Sequence, residues 1–355
     1  HQTFWYVLEC VKAMYGLNDA PLAWQLALAD YFTTKRRAIQ SVFDDCFFFW
    51  PAAPGEIKAL GTSHVDDNGM GSDPEWLKKE YKAFSDQFGG ATRHQLPFAH
   101  TGIEYKDTDH GRKMAQDEFC QKIKPYSLTK ERAKQDSSPL TQEELTGFRA
   151  ILGALLWLCQ TRLDIIADVV LSQQDVSKAT IGSLKLANSI VTKAKRYSWN
   201  CGLYFPPLKL PLKMATVCDS SHASKITSYA QEGVLILLMH DKQLHLAKTG
   251  TPLYQELVKG NDMAGWCHVL ASLSHKAKRI GASSSNAETL SATVGKELAQ
   301  LVAIRLTEVF GIGIQTPLHS PAKLSTFIEI QEAGAWMVPI DHFKDCRDLF
   351  HLVVG

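Results

Sequence analysis

The sequence predicts an α+β protein built from three consecutive regions. Helical and strand-like patterns occur in separate blocks, as expected when helices and antiparallel sheets are segregated along a chain. The first block reads helix, two strands, acidic turn and helix, and the middle block is helical. The last block reads three strands, a long helix and a short strand. We place the three regions at 1–120, 121–212 and 213–355.

The composition is that of a globular intracellular protein. Of the 355 residues, 45% are hydrophobic, which is enough to bury a substantial core. The net charge of +1 gives no general basic field, so binding to nucleic acid must depend on local clusters. The eight cysteines are scattered without a CxxC pair, which favours reduced thiols. No apolar run reaches the ~18 residues of a membrane span, so we expect a cytoplasmic or nuclear protein that is neither secreted nor membrane-inserted.

In the first region, helix and strand signals flank an acidic turn. The segment NDAPLAWQLALADYF has Asn18 or Asp19 as a cap and apolar residues at helical spacing. Strands are predicted at 46–50 and 57–64, before the turn HVDDNGMGS. A second helix begins within SDPEW and ends at the glycine pair that follows QF.

The later regions are separated by a polar stretch. Residues 121–139 are polar and rich in lysine, which predicts a linker or an exposed loop. Thr141 and Glu144 form a capping box at the start of a helical segment. Three β-rich runs then precede a helix over about 286–310 and the short strand AWMVPI. The predicted apolar side of that helix consists of Ala287, Leu290, Val294, Leu298, Leu301 and Ile304.

Two adjacent carboxylates, Asp66 and Asp67, follow the second predicted strand in the tetrapeptide HVDD. Neighbouring carboxylates repel each other, so such a pair often accompanies a divalent cation or a helix N-terminus. In a two-metal polymerase site, carboxylates hold the magnesium ions that activate the attacking hydroxyl. A solvated turn is the alternative, because aspartate is a common turn residue. The tetrapeptide alone favours the turn.

Three further acids are widely spaced in the last region: Asp219 at a strand end, Glu288 near a helix start and Asp345 close to the C-terminal end. Hydrolysis of a phosphodiester by two magnesium ions needs carboxylates from separate elements. Spacing alone does not show convergence. Taken singly, a strand-end aspartate is more often a turn residue, and an acid near a helix start is more often a partner of the helix dipole.

Several motifs in order change that weighting. VKAMYGLNDAPLAW, SVFDDCFFF and HVDD are followed by HTGIEY, QDEF, FRAILGALLWLCQTRLDI and finally SSSNAET. This series resembles the Pol polyproteins of copia-type retrotransposons, and several ordered motifs are far more specific than any one. The resemblance implies a reverse-transcriptase palm-like fragment in 1–120, a helical connector in 121–212 and a ribonuclease H-like domain with a mixed sheet in 213–355. We expect the family's RNA-directed DNA polymerase and RNA:DNA-hybrid ribonuclease activities.

The resemblance assigns Asp66 and Asp67 to the two carboxylates of the palm hairpin. Two departures accompany it. Asn18 and Asp19 stand where the family has a Lys-Gln pair near the incoming nucleotide, and Leu163 replaces the proline of a TRPDI motif. The family's first palm aspartate lies upstream of the YGL block, so we expect the polymerase site of this chain to lack one acid.

The same resemblance assigns Asp219, Glu288 and Asp345 to the ribonuclease H site, with Asp341 as a weaker alternative for the third acid. Ser221 stands where family members often carry a second aspartate. The fourth acid of the family would lie beyond the last residue. The implied cofactor is Mg²⁺, with Mn²⁺ as the alternative, bound by all five assigned acids: Asp66, Asp67, Asp219, Glu288 and Asp345.

Local basic clusters are the candidates for contact with nucleic acid. One lies in the predicted linker and one follows the helical connector, where a solvated surface is at least as good an interpretation. The third cluster precedes Glu288, and there we favour contact with substrate phosphates. Its members are His275, Lys276, Lys278 and Arg279.

The implied partners are an RNA template, an RNA:DNA hybrid and a dNTP, without a membrane, and the rest of a polyprotein or a dimer partner is a further expectation. Two alternatives to an enzyme fragment stay open. A degenerate element copy would keep the folds, and hybrid binding with them, without catalysis. A domesticated nucleic-acid-binding scaffold would keep basic clusters while losing acids, and the presence of all five assigned acids argues against it.

Overall fold

The computed structural model describes residues 16, 18–53, 56–198, 201–221, 229–241, 266–278, 283–310 and 338–343. The chain divides into two compact units, one of 1–93 with 304–337 and one of 94–303 with 338–355. Helices and three four-stranded sheets occur together in the described residues, so the α+β class is confirmed. The three predicted regions follow functional motifs rather than contacts, and their boundaries stay a prediction.

The first unit contains two helices and an antiparallel sheet with strands in chain order. The acidic turn follows the strand predicted at 57–64, as expected, but leads into a fourth strand rather than directly into the second helix. The fourth strand, DNGMGS, was not predicted, because it has two glycines and no β-branched or aromatic residue. The elements are α1 (Ala20–Asp30, continued by a π-helical turn Tyr31–Lys35), β1 (Ile39–Gln40), β2 (Phe47–Ala53), β3 (Glu56–His64), β4 (Asp67–Ser72) and α2 (Pro74–Phe88).

Helix α2 begins and ends as its sequence predicts. The Asp73 side chain accepts a hydrogen bond from the backbone of Trp76, and Gly89 ends the helix with a left-handed φ of 84°. Helix α1 is different. Asp19 occupies its N-cap in a helical conformation and makes no capping bond with its side chain. The aromatic core of this unit packs between the two helices and the sheet, around Phe32, Phe48 and Trp50.

The second unit begins with a four-stranded antiparallel sheet and a helical bundle. The capping box of Thr141 and Glu144 is present at the start of the first long helix, as predicted. Phe148, Leu155 and Leu158 lie fully buried in the bundle. The sheet contains β5 (Phe98–His100), β6 (Ile103–Thr108), β7 (Gly111–Ala115) and β8 (Leu203–Phe205), and the helices are α3 (Asp117–Lys122), α4 (Gln142–Leu158), α5 (Ile166–Gln173) and α6 (Ile181–Arg196).

The polar stretch is largely exposed and has little regular structure, as an exposed loop should, but it is bound along the helical bundle rather than free of it. Residues 121–140, here called the strap, lie against the helical bundle, with Ile123 buried and Tyr126 packed on its core. The Asn188 side chain accepts from the backbone N–H of Tyr126 at 2.8 Å and donates to its carbonyl at 2.9 Å. The Arg132 guanidinium contacts both carboxylate oxygens of Glu144 at 2.8 Å. Some polar residues of the strap therefore bind the helices, while most of the others are exposed to solvent.

The last sheet follows the predicted order of three strands, a helix and a short strand. Strands β9 (Leu212–Ser221), β10 (Gln231–His240) and β11 (Cys267–Lys276) pair antiparallel, helix α7 covers Ser284–Phe310, and β12 (Ile340–Phe343) adds parallel to β9. The final strand starts later than predicted. Pro339 has no N–H to pair and only accepts a bond from Met214, so the strand begins at the next residue.

Helix α7 contacts the sheet through small residues. The predicted apolar side is wrong except at Ala287, since Leu301 is 51% exposed and Leu298 only half-buried. A side chain at Gly295 would place its Cβ 2.1 Å from the Cys218 sulfur, so the helix lies almost directly on β9. The buried stripe repeats every four residues: Ala287, Ser291, Gly295, Ala299 and Ala303.

None of the helices in the described part of the chain combines the length and apolarity needed to span a membrane.

The substitution Gly295→Ala tests the close approach of α7. The added methyl group has no room beside Cys218, so the helix must shift, and we expect a loss of about 1–3 kcal/mol in the free energy of unfolding. Gly153→Ala in α4 is the matched control, because its Cβ meets nothing within 4 Å. There we expect a gain of roughly 0.5–1 kcal/mol from helix propensity. If urea unfolding showed the same change in free energy for both variants, the close contact between α7 and β9 would be contradicted.

The strap should detach in acid. Hydrogen bonds from Arg132 lower the pKa of Glu144 from 4.5 to about 2. A carboxyl whose pKa is lowered by folding stabilises the fold above its unfolded pKa, and this contribution is lost as the pH falls through the folded value. We therefore expect the urea midpoint to decrease between about pH 5 and about pH 2 more steeply for the parent than for Glu144→Gln. Parallel profiles would show that this pair does not fasten the strap.

Candidate active sites

Asp66 and Asp67 lie at the tip of a tight hairpin. His64 pairs with Asp67 across β3 and β4, which leaves only Val65 and Asp66 in the turn. Both aspartates are exposed. Val65 has a φ of 57°, a left-handed conformation that is strained for a β-branched residue. The structure therefore places the two acids together at a strand exit, on a turn that local sequence preference does not favour.

Helix α1 holds this turn. The indole N–H of Trp24 donates a hydrogen bond of 2.6 Å to the Val65 carbonyl. Its ring packs edge-on against Phe88 of α2, with the ring centroids 5.0 Å apart. Trp24 thus connects the AW motif of the first helix to the acidic turn. The sequence separation of 41 residues explains why local patterns did not reveal it.

Asp219 lies near the end of β9, and Glu288 lies in the second turn of α7. The Ser291 hydroxyl donates to the Asp219 carbonyl at 2.9 Å. Ser291 follows Glu288 by three positions, so the two share one face of the helix. The Asp219 carboxylate is exposed and accepts from the N–H of Ser220 at 2.8 Å. Both acids are thus brought to one end of the sheet.

The two acids approach that end from different sides. Thr216 and Cys218 are the β9 residues that Gly295 of the helix meets. Because successive strand residues point to opposite faces, Asp219 lies on the face away from α7. Among the described residues, no group of three or more His, Cys, Asp or Glu side chains is arranged to hold a metal ion.

The assignments for the third acid have different outcomes. Asp345 lies outside the described residues. The alternative, Asp341, lies in β12 opposite Ala215 and forms a 3.1 Å ion pair with Lys213, whose side chain is 5% exposed. Ala215 precedes Asp219 by four residues along β9, so Asp341 is occupied in a structural pair well before the strand end. The alternative therefore loses support.

The third basic cluster lies in and just after β11. His275 Nε2 is 3.2 Å from the carboxylate of Glu232, which is 3% exposed. The Lys276 ammonium lies 4.0 Å from the centroid of the Tyr229 ring, and Lys278 is exposed. Arg279 lies outside the described residues. Their contact with phosphates stays a prediction, with Lys278 the most accessible of the three described members.

The other two clusters have structural partners. Arg132 binds Glu144, and Lys195 donates to the carbonyl of Gln121 at 2.9 Å, so both help to fix the strap. Lys193 forms a 2.8 Å ion pair with Asp168. These contacts favour the surface interpretation of both clusters.

The TRLDI motif also has a structural explanation. Arg162, 3% exposed, donates to both carboxylate oxygens of Asp164 at 2.8 Å and to the carbonyl of Ala194 at 2.7 Å. The motif therefore locks the end of α4 to α6. The substitution at Leu163 leaves these bonds in place.

Sequence reasoning missed a polar chain on the sheet face that carries Asp219. Gln174, just after α5, bonds to Gln231, which bonds to Ser274. Each residue is unremarkable in its local sequence, and 57 positions separate the first pair. No local pattern could have revealed it.

Comparison with known proteins supplies a relative. The chain is 28% identical over 172 residues to the "Retrovirus-related Pol polyprotein from transposon RE1" of Arabidopsis thaliana. The match covers 45% of this chain and 12% of the relative, so it spans a small part of that polyprotein. It confirms the predicted resemblance to copia-type retrotransposon Pol polyproteins. No protein-family model matches the chain.

A solved structure is also similar. It is the foamy viral protease-reverse transcriptase in complex with an RNA/DNA hybrid, with a TM-score of 0.44 and 14% identity over 95% of this chain and 39% of that chain. A likeness at that score carries no argument about fold or function.

The substitution Trp24→Phe should loosen the acidic turn. It removes the bond to the Val65 carbonyl but keeps an aromatic ring against Phe88. We therefore expect the free energy of unfolding to fall by about 1 kcal/mol. Hydrogen exchange at the amides of residues 66–68 should accelerate. Trp76→Phe is the matched control, because Trp76 packs in the same core without contacting the turn. Acceleration in both variants would show a general loss of packing instead.

Proposed function

We propose that this chain, which is similar to part of a copia-type retrotransposon Pol polyprotein, carries an RNA:DNA-hybrid ribonuclease site and part of an RNA-directed DNA polymerase palm. One observation carries the ribonuclease proposal. The bond from Ser291 to the Asp219 carbonyl fixes the end of β9 to α7 one turn from Glu288. This contact supports placing Asp219 and Glu288, 69 positions apart in sequence, at the same end of the sheet.

The donor chemistry fits Mg²⁺, or Mn²⁺ as the alternative. All proposed ligands are carboxylate oxygens, which hard divalent cations prefer, and the described residues contribute Asp219 and Glu288 to one site. When bound, the metal ions would activate water and hold the scissile phosphate. Asp219 would bind from the exposed face of the strand end, and Glu288 from the helix. Asp345 is the proposed third ligand.

The polymerase proposal is narrower and rests on the hairpin. Asp66 lies in the two-residue turn, Asp67 is the first residue of β4, and both are exposed to solvent. They would hold the Mg²⁺ that binds the dNTP phosphates. The RNA template and the hybrid are the proposed partners, with Lys278 as a phosphate contact, and further parts of a polyprotein or a second subunit would supply the remaining acid. We propose an intracellular location, on the basis of the scattered cysteines.

A second candidate function is a non-catalytic element copy that binds hybrids. Ser221 in place of a second acid favours it, as does the replacement of the Lys-Gln pair by Asn18 and Asp19.

Cleavage of a labelled RNA:DNA hybrid in Mg²⁺ separates the two candidates. We expect Glu288→Gln to reduce cleavage by roughly 100-fold or more, the scale on which loss of one charge-stabilising group is felt. Glu297→Gln is the matched control, because Glu297 is an exposed acid on the same helix. We expect this variant to cleave the hybrid at the parental rate. A folded parent chain that cleaves nothing would favour the non-catalytic copy. Equal loss in both variants would remove the role of Glu288.

A further inference from the structure

A chain of side-chain hydrogen bonds runs from the helical connector (residues 121–212) into the sheet. The Gln174 amide N–H donates to the Gln231 carbonyl oxygen at 2.9 Å, and the Gln231 amide N–H donates to the Ser274 hydroxyl at 2.9 Å. Gln231 is only 7% exposed. The three groups therefore form a relay with a defined direction, in which each donor points away from the connector.

The relay ends beside the proposed ribonuclease site. Ser274 of β11 lies directly opposite Gly233 of β10, and Gly233 lies directly opposite Asp219 of β9. Residues opposite each other in antiparallel strands share one face of the sheet, so the Ser274 hydroxyl and the Asp219 carboxylate flank Gly233 on the same side. Asp219 and Gln231 thus belong to one polar corner of that face.

Among the described residues, no side chain fills the space above Gly233. A Cβ built there would meet only one of their atoms within 4 Å, the Asp219 carbonyl oxygen at 3.9 Å. We call this side-chain-free space, bounded by Asp219 and Ser274, the Gly233 notch.

The relay determines what the notch presents. A hydroxyl has one proton to donate, and the Ser274 oxygen already accepts from Gln231. Its proton has no acceptor among the described residues, which leaves Ser274 as a donor beside the notch. The bond from the buried Gln231 amide holds this donor in one orientation.

We propose that the Gly233 notch binds an acceptor oxygen of the sugar–phosphate backbone of a nucleic-acid strand, with Ser274 as the donor and Gln174 as the residue that sets its direction. This inference rests on the proposed ribonuclease function and adds a substrate contact to it. The acceptor is a phosphate oxygen or a ribose 2′-hydroxyl, both of which accept from a serine hydroxyl. Ser274 then touches substrate, whereas Gln174 is a positioning residue.

The competing explanation is that the relay only fastens the connector to the sheet. Gln174→Glu separates the two explanations, because a carboxylate accepts hydrogen bonds and has no proton to give. Gln231 must then turn its amide and donate to position 174, so its carbonyl oxygen faces Ser274. The Ser274 hydroxyl then donates to Gln231, so it can no longer donate to a ligand in the notch. The fastening survives and the substrate contact is lost.

The experiment uses the full chain with a labelled RNA:DNA hybrid. Binding is measured by anisotropy with Ca²⁺ in place of Mg²⁺, and cleavage by steady-state kinetics in Mg²⁺. We expect Ser274→Ala and Gln174→Glu to raise Kd and KM about three- to tenfold, the effect of one hydrogen bond, while kcat changes less than about twofold. Ser272→Ala is the matched control. It lies on the same strand face opposite Leu235, one step farther from the Asp219 row, and should behave like the parent.

A DNA:DNA duplex in the binding assay identifies the acceptor. If Ser274→Ala weakens hybrid binding alone, the acceptor is a 2′-hydroxyl; if it weakens both, the acceptor is a phosphate oxygen. The proposal would be overturned if Gln174→Glu kept the parental Kd and KM while Gln174→Leu lowered the Tm. The relay would then only fasten the connector to the sheet. A folded parent that neither binds nor cleaves the hybrid would instead refute the proposed function itself.

Discussion

The close approach of α7 to β9 is the constraint on which the candidate site of the second unit depends. Gly295 removes the side chain that would hold the helix away from Cys218. Only at that separation does the Ser291 hydroxyl reach the carbonyl of Asp219. Because Glu288 lies one helical turn before Ser291, the same contact fixes the position of Glu288 relative to the end of β9. Helix packing and the placement of the acids are therefore one feature of the molecule.

The sequence predicted the order of elements well and the contact between them poorly. Caps and β-rich runs are local signals, so the box of Thr141 and Glu144 and the last three long strands could be recognised. The stripe on α7 could not, because apolar periodicity selects large residues such as Leu301, whereas the contact uses small ones. Strand β4 has weak intrinsic preference and forms because β3 pairs with it.

Bonds between distant residues explain the remaining differences. The strap has the composition of a linker, but Asn188 and Glu144 bind its backbone and its arginine from two helices. Likewise, motif resemblance assigned Asp219 and Glu288 to one site, while the bond that fixes their two elements to each other comes from Ser291, which no motif marked. A sequence pattern thus identifies candidate residue types, and tertiary bonds decide how the elements that carry them are arranged.

The acidic turn of the first unit forms against local preference. Asp66 and Asp67 are exposed neighbours whose like charges repel, and they sit on a turn that forces Val65 into a strained conformation. Backbone strain of this kind costs of order 1–3 kcal/mol and persists where the surroundings hold it, as Trp24 does here. Asp219 is also exposed, and its carboxylate accepts a hydrogen bond from the backbone N–H of Ser220. Trp24 thus maintains two like charges side by side on a strained turn, an arrangement that local sequence preference does not favour.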